Sequence, residues 1–196
     1  MSLKVDYCSH KAAKYACKEW HYSGTIPPIK NVKFGVWEDG DFIGAVVYSR
    51  GVNGSIGSFV GLNQKTAVEL TRVALTDHDA PVSQIVSYTM DMLKEKDNGL
   101  RLLVSYADPA QGHNGGIYQA MNWTYIGQTK PSTQLYDKDG SSVHQRTKNM
   151  AEAGGFSTKD KYESLEKRRV PGKYKYVYPL DDEIKAKVKD LAKPYP

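Results

Sequence analysis

The sequence predicts an α/β (α+β) chain, with a mixed central sheet flanked by helices and a basic C-terminal extension. Three observations predict it. Short apolar runs rich in Val, Ile, Leu and Tyr alternate with stretches whose apolar residues recur at helical spacing, the pattern of a sheet covered by helices. Asp39-Gly40 and Asp139-Gly140 lie between strand-like runs and signal hairpins, so part of the sheet is antiparallel. Charge is uneven: residues 1–147 carry fifteen Lys/Arg against fourteen Asp/Glu, whereas residues 148–196 carry twelve against eight. A chain of 196 residues therefore reads as one catalytic-sized domain, 1–147, with a basic Tyr/Lys-rich extension, 148–196, packed on it.

The elements follow in order. Residues 3–7 form a short strand. Ser9 caps a helix over 10–20, in which Ala12, Ala13, Ala16, Cys17 and Trp20 share a face and Lys11, Lys14, Lys18 and Glu19 fall outside it. Gly24 ends it, with Pro27-Pro28 beyond. Residues 32–37 and 42–48 are hairpin strands, 50–60 a Gly/Ser-rich loop and 67–75 a strand containing Arg72. An arginine within an apolar strand needs a partner, so it is either a structural ion pair or a ligand holder. Asp79 is the expected N-cap of an amphipathic helix over 82–96 with Pro81 in its first turn. Residues 102–107 are a buried strand stopped by Asp108-Pro109. A polar, glycine-rich loop follows (Gln111, Gly112, His113, Asn114, Gly115, Gly116), then a short helix over 117–121 and a strand over 123–126. Hairpin strands are expected at 133–136 and 143–147, helical segments at 150–156 and 159–166, and a charged closing helix over 181–192.

Loops at the carboxyl ends of strands carry ligand sites in open α/β sheets. That singles out Asp108, His113 and Tyr118. His21 and Tyr22 sit at a helix end beside a loop, where they form either a packed aromatic corner or a general base with a tyrosine beside it. Residues 167–178 hold five positive charges, no negative one and three tyrosines. Interleaved cations and rings suit phosphates and bases, which makes Lys167, Arg168, Arg169, Lys173, Tyr174 and Lys175 nucleic-acid contacts; an amphipathic edge strand is the alternative. Fourteen tyrosines against four phenylalanines favour contact surfaces as well as core. Two cysteines, Cys8 and Cys17, are too few for a disulfide scaffold and read as buried small residues. With no signal peptide and no apolar run long enough to cross a bilayer, a cytoplasmic setting without membrane contact is expected.

The element order resembles the GNAT acyltransferase fold. That resemblance implies an active site where the strands carrying Arg72 and Val104 splay, and a donor diphosphate held by a glycine-rich loop at a helix N-terminus. Here residues 76–83 read TDHDAPVS, without the glycines and with two acids in their place, which argues against ordinary acetyl-CoA binding. A finer resemblance is to the phage Mom family. It rests on Trp20-His21-Tyr22-Ser23, on Glu69-Leu70-Thr71-Arg72, on Ser105-Tyr106-Ala107-Asp108 with the loop and helix from Gly112 to Ala120, and on the Lys/Tyr run from Lys173 to Tyr178.

The family resemblance implies conversion of adenine in double-stranded DNA to N6-carbamoylmethyladenine in the bacterial host cytoplasm, shielding phage DNA from restriction. It implies a transferase with Asp108 as first-choice base, His21 as second, Arg72 holding the donor, Tyr118 as acid and Tyr22 beside them. Ser105, Tyr106, His113, Gly115, Gly116 and Trp123 would line the donor and base pocket. Tyr22, Tyr106, Tyr118 and Trp123 offer stacking surfaces for a flipped base. An acyl donor, acetyl-CoA or another, and an iron on His21, Asp108 and His113 are the cofactors it raises; a homodimer is one assembly it leaves open. The alternatives are a GNAT-type N-acetyltransferase of a protein or small molecule and a non-catalytic DNA-binding protein on the same fold.

Overall fold

The computed structural model describes residues 2–51, 55–138, 140, 142–143 and 165–196. These residues form ten strands and four α-helices: β1 Leu3–Tyr7, α1 His10–Trp20, β2 Asn31–Glu38, β3 Asp41–Ser49, β4 Ala67–Leu75, α2 Val82–Lys96, β5 Leu102–Ala107, α3 Gly116–Ala120, β6 Thr124–Gln128, β7 Ser132–Tyr136, β8 Ser142–Val143, β9 Glu166–Val170, β10 Tyr174–Pro179 and α4 Asp182–Lys189. A seven-stranded sheet has the order β1-β2-β3-β4-β5-β10-β6, and a three-stranded sheet the order β8-β7-β9. All pairs in the large sheet are antiparallel except β4 with β5.

Local chemistry accounts for most boundaries. Ser9 Oγ accepts the Ala12 N–H at 3.1 Å and starts α1. Asp39 and Gly40 turn β2 into β3 with positive φ at both, as a tight hairpin needs. α1 stops at Trp20 because His21 is already extended, so Gly24 shapes the following turn instead of capping the helix. Asp79 does not cap α2; the N-cap is Pro81, which makes no side-chain cap bond. Glu166, expected to end a helix, opens β9 instead, because its neighbours pair with β7. The expected helical segment at 150–156, the part of the next one at 159–164, and most of the strand at 143–147 lie outside the described residues.

One face of the large sheet packs Phe34, Val46, Tyr48, Leu70, Leu103 and Tyr176 against α2 and α3. The other packs Ala45, Val47 and Ala74 against α1, and Ala67, Leu102, Val104 and Val177 against α4 and the turn Ser58–Val60. The Lys/Tyr strand β10 is not an edge strand. It lies between β5 and β6, with Tyr176 and Val177 fully buried. Asp181 fixes its exit, since its carboxylate caps α4 at Ile184 and pairs with Arg101, whose Nε lies 2.8 Å away.

Candidate active site

The sheet opens in its middle. β4 and β5 pair only over Ala67–Leu70 and Leu102–Ser105. Beyond that, β4 follows β3 and β5 follows β10. The register shift between Val47 and Tyr48 makes Thr71 an extra residue on β4; its hydroxyl returns to the Val47 carbonyl at 2.9 Å. Such a bulge re-aims the following side chain, here Arg72. A cavity of about 520 Å³ fills the opening. Its walls come from α1's end (Trp20, His21, Tyr22), from Leu70–Val73 on β4 and from Tyr106 to Tyr118 across the glycine loop.

Behind the wall residues Leu70 and Tyr118 lies Ser105, buried and, against expectation, not itself on the cavity wall; its Oγ lies 2.8 Å from the Leu70 carbonyl and 2.7 Å from the Tyr118 hydroxyl. A carbonyl only accepts, so the single serine hydrogen goes to Leu70 and Tyr118 donates to Ser105. The pair ties β4 to β5 where their ladder ends. Burial pushes the Tyr118 phenol up to about 12, so it stays protonated at neutral pH.

His21 Nδ1 accepts the Ser23 backbone N–H at 3.1 Å. A nitrogen that accepts carries no proton, so the neutral ring keeps its hydrogen on Nε2. Burial, with Arg72, His113 and Lys173 nearby, pulls the imidazole down to about 3. His21 is therefore neutral at pH 7, with Nε2–H a donor and Nδ1, the nitrogen able to take a proton, engaged by Ser23. Tyr22 stacks on it with centroids 4.3 Å apart and meets His113 edge-on at 5.5 Å. Half of Tyr22 is exposed, leaving an aromatic rim at the mouth. Among the described residues Arg72 makes no ion pair, the structural alternative expected for it. Its Nε donates to the Thr25 carbonyl at 3.0 Å and Nη1 to the Thr71 carbonyl at 2.7 Å.

One candidate escaped the sequence reading. Glu69 stands opposite Val104, on the same sheet face as the cavity-lining Tyr106 by the two-residue period, and like Asp108 is not itself on the cavity wall. Burial raises its carboxyl to about 7, against the pull of Arg72 and Lys173. A glutamate amid the apolar residues of 67–75, three before an arginine, was the available signal.

Other expected site residues stand elsewhere. Asp108 is buried, but one oxygen pairs with Lys173 Nζ at 2.9 Å and the other accepts the Ala110 N–H at 3.0 Å. It anchors the loop and is not on the cavity wall. Trp123 is wholly buried beneath Tyr118, centroids 5.2 Å apart, and is also off the wall. Gly115 and Gly116 line the cavity as expected. Among the basic residues, Lys167, Arg168 and Arg169 are exposed on β9, with Arg168 over the Tyr136 ring and paired with Glu166. Tyr174 packs edge-on to Tyr125, and Lys175 is half-buried with its ammonium 3.5 Å from the Phe59 centroid. Among the described residues no three His, Cys, Asp or Glu side chains gather to hold a metal. The iron raised on His21, Asp108 and His113 is therefore not supported, and Asp108's engagement with Lys173 accounts for its absence from such a set.

The sequence model of the Mom protein family matches residues 2–196. The chain belongs to the Mom protein family. It is 28% identical over 158 residues to the methylcarbamoylase mom of Escherichia phage Mu, spanning 78% of this chain and 64% of that Mom protein. Among solved structures it is similar to yncA of Salmonella typhimurium with its cofactor acetyl-CoA (TM-score 0.54, 10% identity, 93% of this chain and 96% of that one). It is similar as well to the spermidine/spermine N-acetyltransferase SpeG of Vibrio cholerae (TM-score 0.50, 8% identity, 94% and 99%). The fold is that of the GNAT acetyltransferases, a mixed sheet flanked by helices, as the element order predicts. Among the described residues no helix is long and apolar enough to cross a membrane. At the turn before α2 the backbone N–H groups of Asp79 and Ala80 bind the Glu38 carboxylate.

Proposed function

We propose that this Mom-family chain is a phage DNA-modification transferase that converts adenine in duplex DNA to N6-carbamoylmethyladenine and so protects that DNA from host restriction. The observation that carries the reading is the cavity at the β4–β5 splay, lined by Tyr22, His21, Tyr106 and Tyr118, with Ser105 holding the Tyr118 hydroxyl from behind the wall. The phage Mu relative supports it. The exocyclic amine of adenine is inaccessible in a duplex, so the base must leave the stack, at a cost of a few kcal/mol, and settle against aromatic side chains. Tyr22 is exposed and stacked as such a platform.

As the new N–C bond forms, the bond from that carbon to the donor's leaving group breaks with its electron pair, and the amine gives up one proton. Glu69, held near neutrality, accepts it. Tyr118, still protonated, turns its O–H from Ser105 to the leaving group. Neutral His21 donates from Nε2, and Arg72 holds the donor. Asp108 acts at one remove, by fixing the 109–116 loop through Lys173 and the Ala110 amide. Lys167 and Arg169 contact phosphates, and the reaction runs in the host cytoplasm. The test is mass spectrometry of nucleosides from host DNA after expression of the chain. Modified adenine is expected; unmodified DNA from a cell containing folded protein overturns the reading.

A further inference from the structure

The turn that opens α2 is a natural anion seat, because helix N-termini present unpaired N–H groups to their ligands. In this chain the seat is taken from within. Asp79 N–H donates to Glu38 Oε2 at 2.9 Å and Ala80 N–H to Glu38 Oε1 at 2.8 Å, so both carboxylate oxygens are used. Glu38 is the last residue of β2, in register with Leu3 on one side and Asp41 on the other, so its carboxylate is delivered by a strand held at both edges. Pro81 follows and has no N–H to offer a third bond. Asp77 and Asp79 lie in the same turn and add negative charge. A diphosphate arriving here would have to displace a tethered carboxylate and sit among like charges.

The cavity offers a different anchor. Arg72 lines it and donates to the carbonyls of Thr25 and Thr71, which are uncharged. Among the described residues it forms no salt bridge. A guanidinium so placed suits one small anion, bound through two parallel N–H donors.

We propose that Glu38 closes the diphosphate seat at α2 and that the group donor is a small carboxylate-bearing molecule anchored on Arg72, not an acyl-CoA thioester. The identity of the cavity as the donor site rests on the function proposed above; the closure by Glu38 does not.

Calorimetric titration of the full chain with acetyl-CoA tests the closure. No saturable binding is expected for the wild type at millimolar ligand. Glu38→Ala, which frees both amides, is expected to bind at least about tenfold more tightly than the wild type, and Glu38→Gln, which keeps one acceptor oxygen without the charge, to fall between them. Stoichiometric micromolar binding by the wild type overturns the proposal. A folded Glu38→Ala or Glu38→Gln protein that binds no better than the wild type overturns Glu38's part in it. The donor class is tested with duplex DNA, purified protein and the low-molecular-weight fraction of a host extract. Treating the fraction with hydroxylamine, which cleaves thioesters, is expected to leave adenine modification intact, and Arg72→Gln to abolish it. Modification lost on treatment and restored by acetyl-CoA overturns the proposal. No modification even with untreated extract counts against the adenine-modifying reading itself, while the titration still decides the role of Glu38.

Discussion

Tyr176 packs its ring into the space that a side chain on Gly115 would need. Gly115 has φ +88 and opens α3, and the Tyr176 hydroxyl reaches the neighbouring Asn114 carbonyl at 2.5 Å. A strand near the end of the chain thereby sets the loop on the cavity wall. Gly115→Ala meets both the left-handed backbone and the ring. It is expected to lower stability by about 2–3 kcal/mol and to reduce modification sharply, measured by urea unfolding and nucleoside mass spectrometry. Gly116→Ala, with only an Asn114 oxygen at 3.5 Å, is expected to be far milder.

Glu69 gives a pH dependence with a definite sign. Its carboxyl is raised to about 7 by burial, so the ionised base forms, and activity rises, as pH passes through that value. Folding runs the opposite way. The folded chain holds this proton more tightly than the unfolded chain, so Glu69 favours folding below the ordinary carboxyl range and loses that contribution as pH climbs through about 7. Glu69→Gln is expected to lose about 100-fold or more in activity yet to melt higher than the wild type at pH 8. Equal activity at pH 8 removes Glu69 from the mechanism.

Tyr118→Phe removes one hydroxyl and one hydrogen bond, that to Ser105. The expected stability cost is about 1 kcal/mol, partly because Ser105 keeps its bond to Leu70. Modification is expected to fall by about 100-fold in the same samples. A variant that loses stability but not activity assigns Tyr118 to packing alone.

The Asp108–Lys173 pair predicts a non-additive cycle. Lys173→Met leaves a carboxylate that is nearly inaccessible without its cation, whereas Asp108→Asn keeps an acceptor for the Ala110 amide. Lys173→Met is expected to cost about 2 kcal/mol, an amount reduced by the lysine's partial exposure, and the double variant to cost less than Lys173→Met alone. Denaturant unfolding of the four proteins measures it; additive costs would mean that the two side chains do not depend on each other.

For β9, replacing Lys167, Arg168 and Arg169 with Ala is expected to lower the salt slope of duplex binding by about 2, not by the nearly 3 that three phosphate contacts would give. Arg168 is engaged with Glu166 and Tyr136, whereas the two-residue period puts Lys167 and Arg169 on one exposed face. An unchanged slope excludes β9 from the DNA face.

Much of this arrangement is legible in the chain because it is local. Apolar alternation defines β1 to β5, Ser9 starts α1, and Asp39-Gly40 makes its hairpin. His21, Tyr22, Arg72, Tyr106, His113 and Tyr118 do meet at one cavity. What escaped depends on pairings remote in sequence. Alternating Lys and Tyr describes a strand with two unlike faces, but nothing local says that it lies between β5 and β6. Asp108 was read at the end of its strand, where it is, without the lysine that occupies it. Glu69 looks like any polar residue of a half-exposed strand. Its neighbours Ala67 and Val104 on that face of the sheet are covered by the turn carrying Phe59 and Val60, in a stretch that reads only as a Gly/Ser-rich loop.

The position of β10 also bears on when the protein can work. Among the described residues β6 pairs in the large sheet only with β10, and β5 has β10 along one whole edge. While the chain is being made, both edges stay bare until Pro179 has left the ribosome, and the loop that Tyr176 holds has nothing to rest on. A messenger cut short before that codon yields neither a slow enzyme nor a partial one, but a polypeptide with two open strand edges prone to pairing with other chains.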